Sequence, residues 1–118
     1  MSEEQSSLNL ALSQVFSVAK GHNQLVVGFR QVASILQREK PKFVCIAKDM
    51  ESQANSILLA LCKKSEIPVI YIETRKELAS LAGKGGKIGV IALKDFVFAT
   101  TGRSFISNLL KDMTLSNQ

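Results

Sequence analysis

The sequence is poor in the residues that usually carry catalysis or bind metals. It has one histidine, His22, and two cysteines, Cys45 and Cys62, none of which falls at the paired spacing of a zinc site. Each cysteine lies within an apolar periodic segment, so we expect two buried free thiols. His22 has no cysteine or serine at a motif spacing. We therefore expect no catalytic site, no metal site and no cofactor.

The sequence also lacks a long hydrophobic run. No apolar stretch approaches the roughly 20 residues that cross a bilayer. The opening MSEEQSS is acidic and polar, without the positive start or the apolar stretch of a secretory signal. The hydrophobic share of 46% beside 21% charged residues is typical of a globular protein. We expect a soluble protein inside the cell, with no membrane partner and no small-molecule substrate.

The 118 residues suit one domain. The apolar periodicity begins at Leu8 and fades after Met113. We expect a single domain over residues 1–118, with its core at about 8–112 and frayed ends.

Apolar spacing predicts helices that alternate with short buried strands. The first helix begins at Leu8 and ends at Gly21, and the second begins at Phe29 and ends before Pro41. Continuous apolar runs of strand length are FVCIA (43–47), VIYI (69–72) and IGVIAL (88–93), with a shorter run at 25–27. Such alternation builds a sheet covered on both faces. The fold class is thus α/β, a three-layer α/β/α sandwich with a central mixed sheet of about four short strands.

Capping residues mark the starts of the later helices. Asp49 is expected to cap a third helix, with Ala54, Ile57, Leu58, Leu61 and Cys62 on its inner face. Thr74 and Glu77 have capping-box spacing, in which each residue satisfies a backbone N–H of the other. Thr101 is expected to cap the last helix, whose inward residues are Phe105, Ile106, Leu109, Leu110 and Met113.

Basic residues are unevenly distributed along the chain. Fifteen Lys and Arg against ten Asp and Glu give a formal charge of +5. Residues 1–19 hold two acids and no base, whereas residues 83–111 hold five bases against Asp95. The asymmetry favours a basic side that faces a polyanion such as nucleic acid.

The glycine loop, GKGGK at residues 83–87, invites comparison with nucleotide-binding loops. Such a loop needs a lysine followed by a hydroxyl residue at a helix start, but here Lys87 is followed by Ile88 and a strand. Nucleotide hydrolysis is therefore not indicated. Two interpretations stay open: a flexible basic loop that approaches a phosphate backbone, and a plain solvated connection.

Several stretches of the chain resemble a known superfamily over roughly residues 8–95. These are LNLALSQV, LVVGFRQVASIL, the strand–helix pair that ends in LLALC, IPVIYI, KEL and KDF. Together they are similar to the small RNA-binding proteins that include the kink-turn binders, archaeal L-seven-Ae and eukaryotic L-thirty-e. KDF and the terminal helix resemble most the eukaryotic small-subunit ribosomal protein twelve (S-twelve-e) branch.

The turn GHNQLVVG at residues 21–28 departs from the kink-turn signature. That signature is an Asn–Glu pair with a lysine three residues later; here Asn23 matches, Gln24 replaces the glutamate and Val27 replaces the lysine. The Gln24 amide accepts hydrogen bonds only through an uncharged oxygen, and the Val27 side chain has no group that binds a phosphate. Kink-turn recognition is thus not expected, and the protein-twelve branch also lacks it. The glycine loop is shorter than that branch's basic loop, although Lys84 and Lys87 keep charge there.

The resemblance implies a non-catalytic constituent of the small ribosomal subunit, near the head and its beak. Its partners would be small-subunit ribosomal RNA and neighbouring ribosomal proteins, in the cytoplasm after assembly in the nucleolus. Two alternatives stay open: a free-standing RNA-binding adaptor and a protein-interaction module. The residues that we expect to contact RNA are basic or turn residues, namely Lys20, Asn23, Gln24, Arg30, Lys40, Lys42, Lys84, Gly85, Gly86, Lys87, Lys94 and Arg103.

Overall fold

Helices and strands alternate along the chain. The computed structural model describes residues 3–96 and 103–116, and within them the side chains of residues 7–96 and 104–112. The elements in chain order are α1 (Glu3–Gly21), β1 (Leu25–Val27), α2 (Phe29–Arg38), β2 (Phe43–Ala47), α3 (Ser52–Ser65), β3 (Val69–Ile72), α4 (Arg75–Leu81), β4 (Val90–Leu93) and α5 (Arg103–Ser116). None of the described helices has the length and apolarity needed to cross a membrane.

The strands form one mixed sheet in the order β1-β4-β2-β3. β2 and β3 are parallel, and β4 runs antiparallel to both of its neighbours, β1 and β2. β1, β2 and β3 therefore all point the same way. We call the edge where these three strands begin the amino end of the sheet, and the edge where they end the carboxyl end. β4 begins at the carboxyl end.

Helices cover both faces of the sheet. One face carries Phe43, Cys45 and Ile91 in a core shared with α1, α4 and α5. The alternate strand residues, including Val44 and Ile46, form a second core with α2 and α3. This alternation follows from the two-residue period of a strand. The predicted α/β/α sandwich with a mixed sheet of four short strands is confirmed.

Some predicted details of the helices differ from the structure. α1 begins at Glu3 and α5 runs to Ser116, so both helices extend beyond residues 8–112, the predicted core. Acidic residues near the start of a helix interact favourably with the positive end of its macrodipole, and this interaction accounts for the helical first turn of α1. Ile57 is 45% exposed and Phe105 is 42% exposed, although both were predicted to face inward. In α3 and α5, the buried face is therefore narrower than the apolar face that the sequence predicts.

The predicted caps are partly right. Thr74 Oγ1 accepts from the Glu77 backbone N–H at 3.0 Å, which confirms Thr74 as the N-cap of α4. Glu77 Oε1, however, accepts from Asn9 Nδ2 at 2.6 Å, which ties α4 to α1. Asp49 does not cap α3, because that helix begins only at Ser52; instead Asp49 Oδ1 accepts from the Arg75 backbone N–H at 2.8 Å. Thr101 lies outside the described residues.

Gly28 allows β1 to lead directly into α2. Its φ of 98° and ψ of 154° lie in a region of backbone conformation that residues other than glycine rarely adopt. Its backbone N–H donates to the Val90 carbonyl at 3.1 Å, and its carbonyl accepts from Val32 at 3.0 Å. The strand β4 and the helix α2 therefore meet at this residue.

Replacing Gly28 should destabilise the fold through backbone strain alone. A Cβ there meets nothing within 4 Å, so steric contact adds no cost. We expect Gly28→Ala to lower the free energy of unfolding by roughly 1–3 kcal/mol. Gly85→Ala is the matched control, because Gly85 also has open space and has no positive φ. Urea denaturation of both variants tests this, and equal midpoints would contradict it.

Candidate functional site

The predicted RNA-contacting residues separate into two groups at opposite ends of the sheet. Asn23 and Gln24 precede β1 at the amino end, where Lys40 and Lys42 lead into β2 and Lys94 follows β4. At the carboxyl end, Arg30 follows Gly28 in α2, and Lys87 precedes the start of β4. The sequence suggested one interface, but the fold does not bring the two groups together.

The turn that joins α1 to β1 is explained by its own hydrogen bonds. Asn23 has a φ of 59°, a left-handed conformation that asparagine tolerates better than most residues. The Gln24 N–H donates to the Ala19 carbonyl at 2.9 Å, and the Gln24 side chain donates to the His22 carbonyl at 3.4 Å. Asn23 and Gln24 therefore have a structural role in ending α1.

The basic residues at the amino end are partly neutralised. Lys42 Nζ lies 3.8 Å from Asp95 Oδ1, and both side chains are at least half exposed. Such an exposed pair is weak. The Lys94 backbone N–H donates to the Gln24 carbonyl at 2.8 Å, and this bond fixes the end of β4. The Lys94 side chain takes no part in it. This end offers less free positive charge than the sequence indicates.

The glycine loop lies against α4 and returns the chain to the carboxyl end. The Lys84 N–H donates to the Ala79 carbonyl at 2.9 Å, and the Ile88 N–H donates to the Arg75 carbonyl at 3.1 Å. Gly83 and Gly86 have φ values of 71° and 84°, so glycine is required at both. Every residue of the loop is exposed.

Three consecutive N–H groups of the glycine loop have no acceptor within the described part of the chain. They belong to Gly85, Gly86 and Lys87, between the bonded N–H groups of Lys84 and Ile88. Exposed consecutive amides flanked by lysines suit an anion such as a phosphate oxygen. The lysines themselves make no ion pair among the described residues. The carboxyl end thus combines free amides with free positive charge.

Arg30 lies at the same end of the sheet as Lys87 because of the strand pairing. Val27 pairs with Ile91, and Gly28 donates to Val90, so the start of α2 adjoins the start of β4. Arg30 is exposed on the first turn of α2. It adds a positive charge to this end on the face of the sheet that α2 covers, whereas α4 covers the other face.

The last two predicted residues lie at helix ends. Lys20 adjoins the amino-end group, because its carbonyl accepts from the Asn23 N–H at 3.5 Å. Lys20 is exposed in the last turn of α1, where it lines a cavity between α1 and the end of α4. Arg103 is the first residue of α5, and its side chain lies outside the described side chains.

The sequence interpretation missed Lys76 and Ser80, which line a cleft with the glycine loop. Both are exposed, on the side of α4 opposite the buried Leu78 and Ala79. The capping box at Thr74 fixed the start of this helix, so helical spacing could have found both residues. Two other basic residues near the carboxyl end are paired: Lys48 Nζ lies 2.8 Å from Glu73, and Arg75 Nε lies 3.5 Å from Asp49.

The two cysteines are buried, as predicted. Burial raises the pKa of the Cys62 thiol to about 11 and raises that of the Cys45 thiol well above its usual value. Neutral buried thiols are poor nucleophiles. In the described part of the chain, no three His, Cys, Asp or Glu side chains are grouped closely enough to hold a metal ion.

Residues 11–99 match the Ribosomal protein L7Ae/L30e/S12e/Gadd45 family. The chain belongs to this family. A relative is the RNA-binding protein BH0128 of Halalkalibacterium halodurans, which is 33% identical over 70 residues, or 59% of this chain and 85% of that protein. A solved structure of a protein with unknown function from Bacillus halodurans C is also similar. It has a TM-score of 0.68 and 26% identity, and the match covers 85% of this chain and 96% of that one.

The family match confirms the superfamily resemblance seen in the sequence. It spans the L7Ae, L30e, S12e and Gadd45 groups together and does not distinguish among them. The narrower prediction of ribosomal protein twelve draws no support from the bacterial relative. That assignment therefore stays a prediction.

The thiols should resist modification in the folded protein. At a pH of about 8, below the ordinary thiol pKa of about 8.5, burial keeps both groups protonated and shielded. We expect dithionitrobenzoate to react with neither Cys45 nor Cys62 until denaturant is added. Fast reaction of the native protein, followed by absorbance, would contradict the burial of these thiols.

Proposed function

We propose that this protein binds RNA, and that it does so mainly through phosphates at the carboxyl end of the sheet. The observation that carries the proposal is the glycine loop, in which three free amides lie between Lys84 and Ile88 beside the exposed Lys87. The family and the RNA-binding relative BH0128 support RNA as the polyanion. Phosphate contacts position a protein on RNA without reading its sequence.

The mechanism is electrostatic and suits the shape of structured RNA. A-form RNA has a deep, narrow major groove, so proteins meet its backbone more readily than its base edges. Lys84, Lys87 and Arg30 would neutralise phosphates, and the Gly85 and Gly86 amides would donate to phosphate oxygens. At the amino end, Asn23, Gln24, Lys40, Lys42 and Lys94 would form a secondary contact, as would Arg103 in α5.

The specific role that we propose is a constituent of the small ribosomal subunit. The likeness of KDF and the terminal helix to the protein-twelve branch supports this role, and the basic surface is compatible with ribosomal RNA. The protein would then contact ribosomal RNA and neighbouring ribosomal proteins near the head and its beak. It would act in the cytoplasm after assembly in the nucleolus, without a catalytic step.

A second candidate is a free-standing RNA-binding adaptor. The observation that favours it is the relative BH0128, whose name specifies RNA binding and not a ribosome. The two candidates share the same interface and differ in the particle that carries the RNA. A protein-interaction module is the remaining alternative from the sequence, but free lysines around a glycine loop favour RNA over it.

Affinity for RNA should fall steeply with salt. If about five phosphates are contacted, the log–log slope of the binding constant against salt concentration should be roughly −3.5 to −4.5. The measurement is fluorescence anisotropy with a labelled RNA hairpin of mixed sequence over a salt series. A slope near zero would rule out the electrostatic mechanism.

Removing the lysines of the glycine loop should reduce that slope. The double variant Lys84→Ala/Lys87→Ala loses two phosphate contacts, so its slope should be shallower by about 1.4–1.8. The matched control is Lys63→Ala/Lys64→Ala, which removes two exposed lysines from the last turn of α3. Equal slopes for the two double variants would remove the glycine loop from the interface.

Sedimentation separates the ribosomal role from the adaptor role. A tagged copy in cell extract should migrate with small subunits and whole ribosomes, and a high-salt wash should release part of it, because exposed charge contacts are screened. Migration in a smaller particle that ribonuclease disperses would support the adaptor. A smaller complex that survives ribonuclease would point to protein partners and would refute both candidates.

A further inference from the structure

Two clefts flank α4 and share one residue. A cavity of about 200 Å³ lies between α1 and α4 and is lined by Ser13, Ser17, Lys20 and the chain from Ser80 to Gly83. A second cleft of about 400 Å³ is lined by Lys76, Ser80, Lys84, Gly85, Gly86 and Lys87. We call the first the α1–α4 groove and the second the loop cleft. Ser80 is exposed between them.

The charge around the two clefts is all of one sign. Lys20 lines the α1–α4 groove, and Lys76, Lys84 and Lys87 line the loop cleft. All four side chains are exposed, and none makes an ion pair among the described residues. No carboxylate lines either cleft in the described part of the chain.

The nearest carboxylate on α4 is directed elsewhere. Glu77 Oε1 accepts from Asn9 Nδ2 at 2.6 Å, on the side of α4 that packs on α1. This contact also holds α1 and α4 together alongside the groove.

The α1–α4 groove also offers hydroxyl donors. Ser13, Ser17 and Lys20 are spaced by four and three residues, so they share one face of α1, and Ser80 faces them across the cavity. Hydroxyl and ammonium groups are common donors to phosphate oxygens. The cavity volume of about 200 Å³ leaves room for a phosphate group to enter.

Simpler explanations account for each lysine separately but not for the presence of all four around the two clefts. Lys20 in the last turn of α1 suits the negative end of the helix dipole, and an exposed lysine on α4 needs no partner. Those explanations do not require four lysines without a described ion pair to line two adjoining clefts in which no described carboxylate takes part.

We propose that α4 is a track for an RNA backbone, with the α1–α4 groove as a second phosphate subsite beyond the glycine loop. The strand would pass from the loop cleft, over Ser80, to Lys20. Lys20 would neutralise the second phosphate, and Ser13, Ser17 and Ser80 would donate hydrogen bonds to it. This inference rests on the proposed RNA binding and adds the path that the RNA takes.

Single substitutions in the groove test the path. We expect Lys20→Ala to make the salt slope for the labelled hairpin shallower by about 0.7–0.9, the value for one phosphate contact. Lys63→Ala, on α3, is the control and should leave the slope unchanged. Ser80→Asp should weaken binding at low salt, because it places a carboxylate between the two clefts. Ser80→Asn has the same shape without the charge and should bind more tightly than Ser80→Asp.

A second readout places the RNA on the protein directly. In the ¹⁵N-labelled protein, titration with the hairpin should shift the amide resonances of Ser13, Ser17 and Gly83, and Lys20→Ala should reduce those shifts. Circular dichroism of each variant confirms that it is folded.

The outcomes distinguish a failure of the groove proposal from a failure of the proposed function. If Lys84→Ala/Lys87→Ala lowers the slope while Lys20→Ala and Ser80→Asp behave like their controls, the groove is refuted and RNA binding stands. If the unchanged protein binds the hairpin with no salt dependence, the proposed function fails and the track fails with it.

Discussion

The direction of β4 determines where the basic surface of this protein lies. β4 pairs with β1 on one side and β2 on the other, and it runs against both. Its preceding residues must therefore approach from the carboxyl end of the sheet, which is also where α2 begins. The Gly28 N–H bond to Val90 joins the two elements at 3.1 Å. One pairing choice thus places the end of the glycine loop and the start of α2, with Arg30, at the same end of the sheet.

Because that placement is a property of the whole sheet, local sequence patterns could not reveal it. Apolar spacing identified the helices, the four strands and most of the two cores, because burial imposes the periods of helix and strand on the sequence. The same patterns gave no strand order, so Asn23 and Lys87 were assigned to one interface although they lie at opposite ends. Asp49 shows a similar limit: it lies beside one helix in sequence and binds the start of another in space.

The candidate site was only partly predictable from charge. The sequence does not show which lysines form ion pairs. In the fold, Lys42 lies near Asp95, whereas Lys84 and Lys87 have no acidic partner among the described residues. The free amides of the glycine loop were foreseen in outline, since glycine-rich loops leave their N–H groups accessible. The turn at Asn23 and Gln24 has instead a structural explanation, because its polar groups satisfy the end of α1. Within the described residues, the glycine loop is distinguished by three consecutive amides without an acceptor beside two unpaired lysines.

In our proposal, RNA lies at the carboxyl end of the sheet, along the glycine loop and α4. Ultraviolet crosslinking in cells, followed by mass spectrometry of the nucleotide-bearing peptides, tests this placement most directly. We expect crosslinks in peptides that contain residues 28–30, 76–80 and 83–88. Crosslinks confined to α3 and the exposed side of β3, or no crosslinked RNA at all, would contradict it.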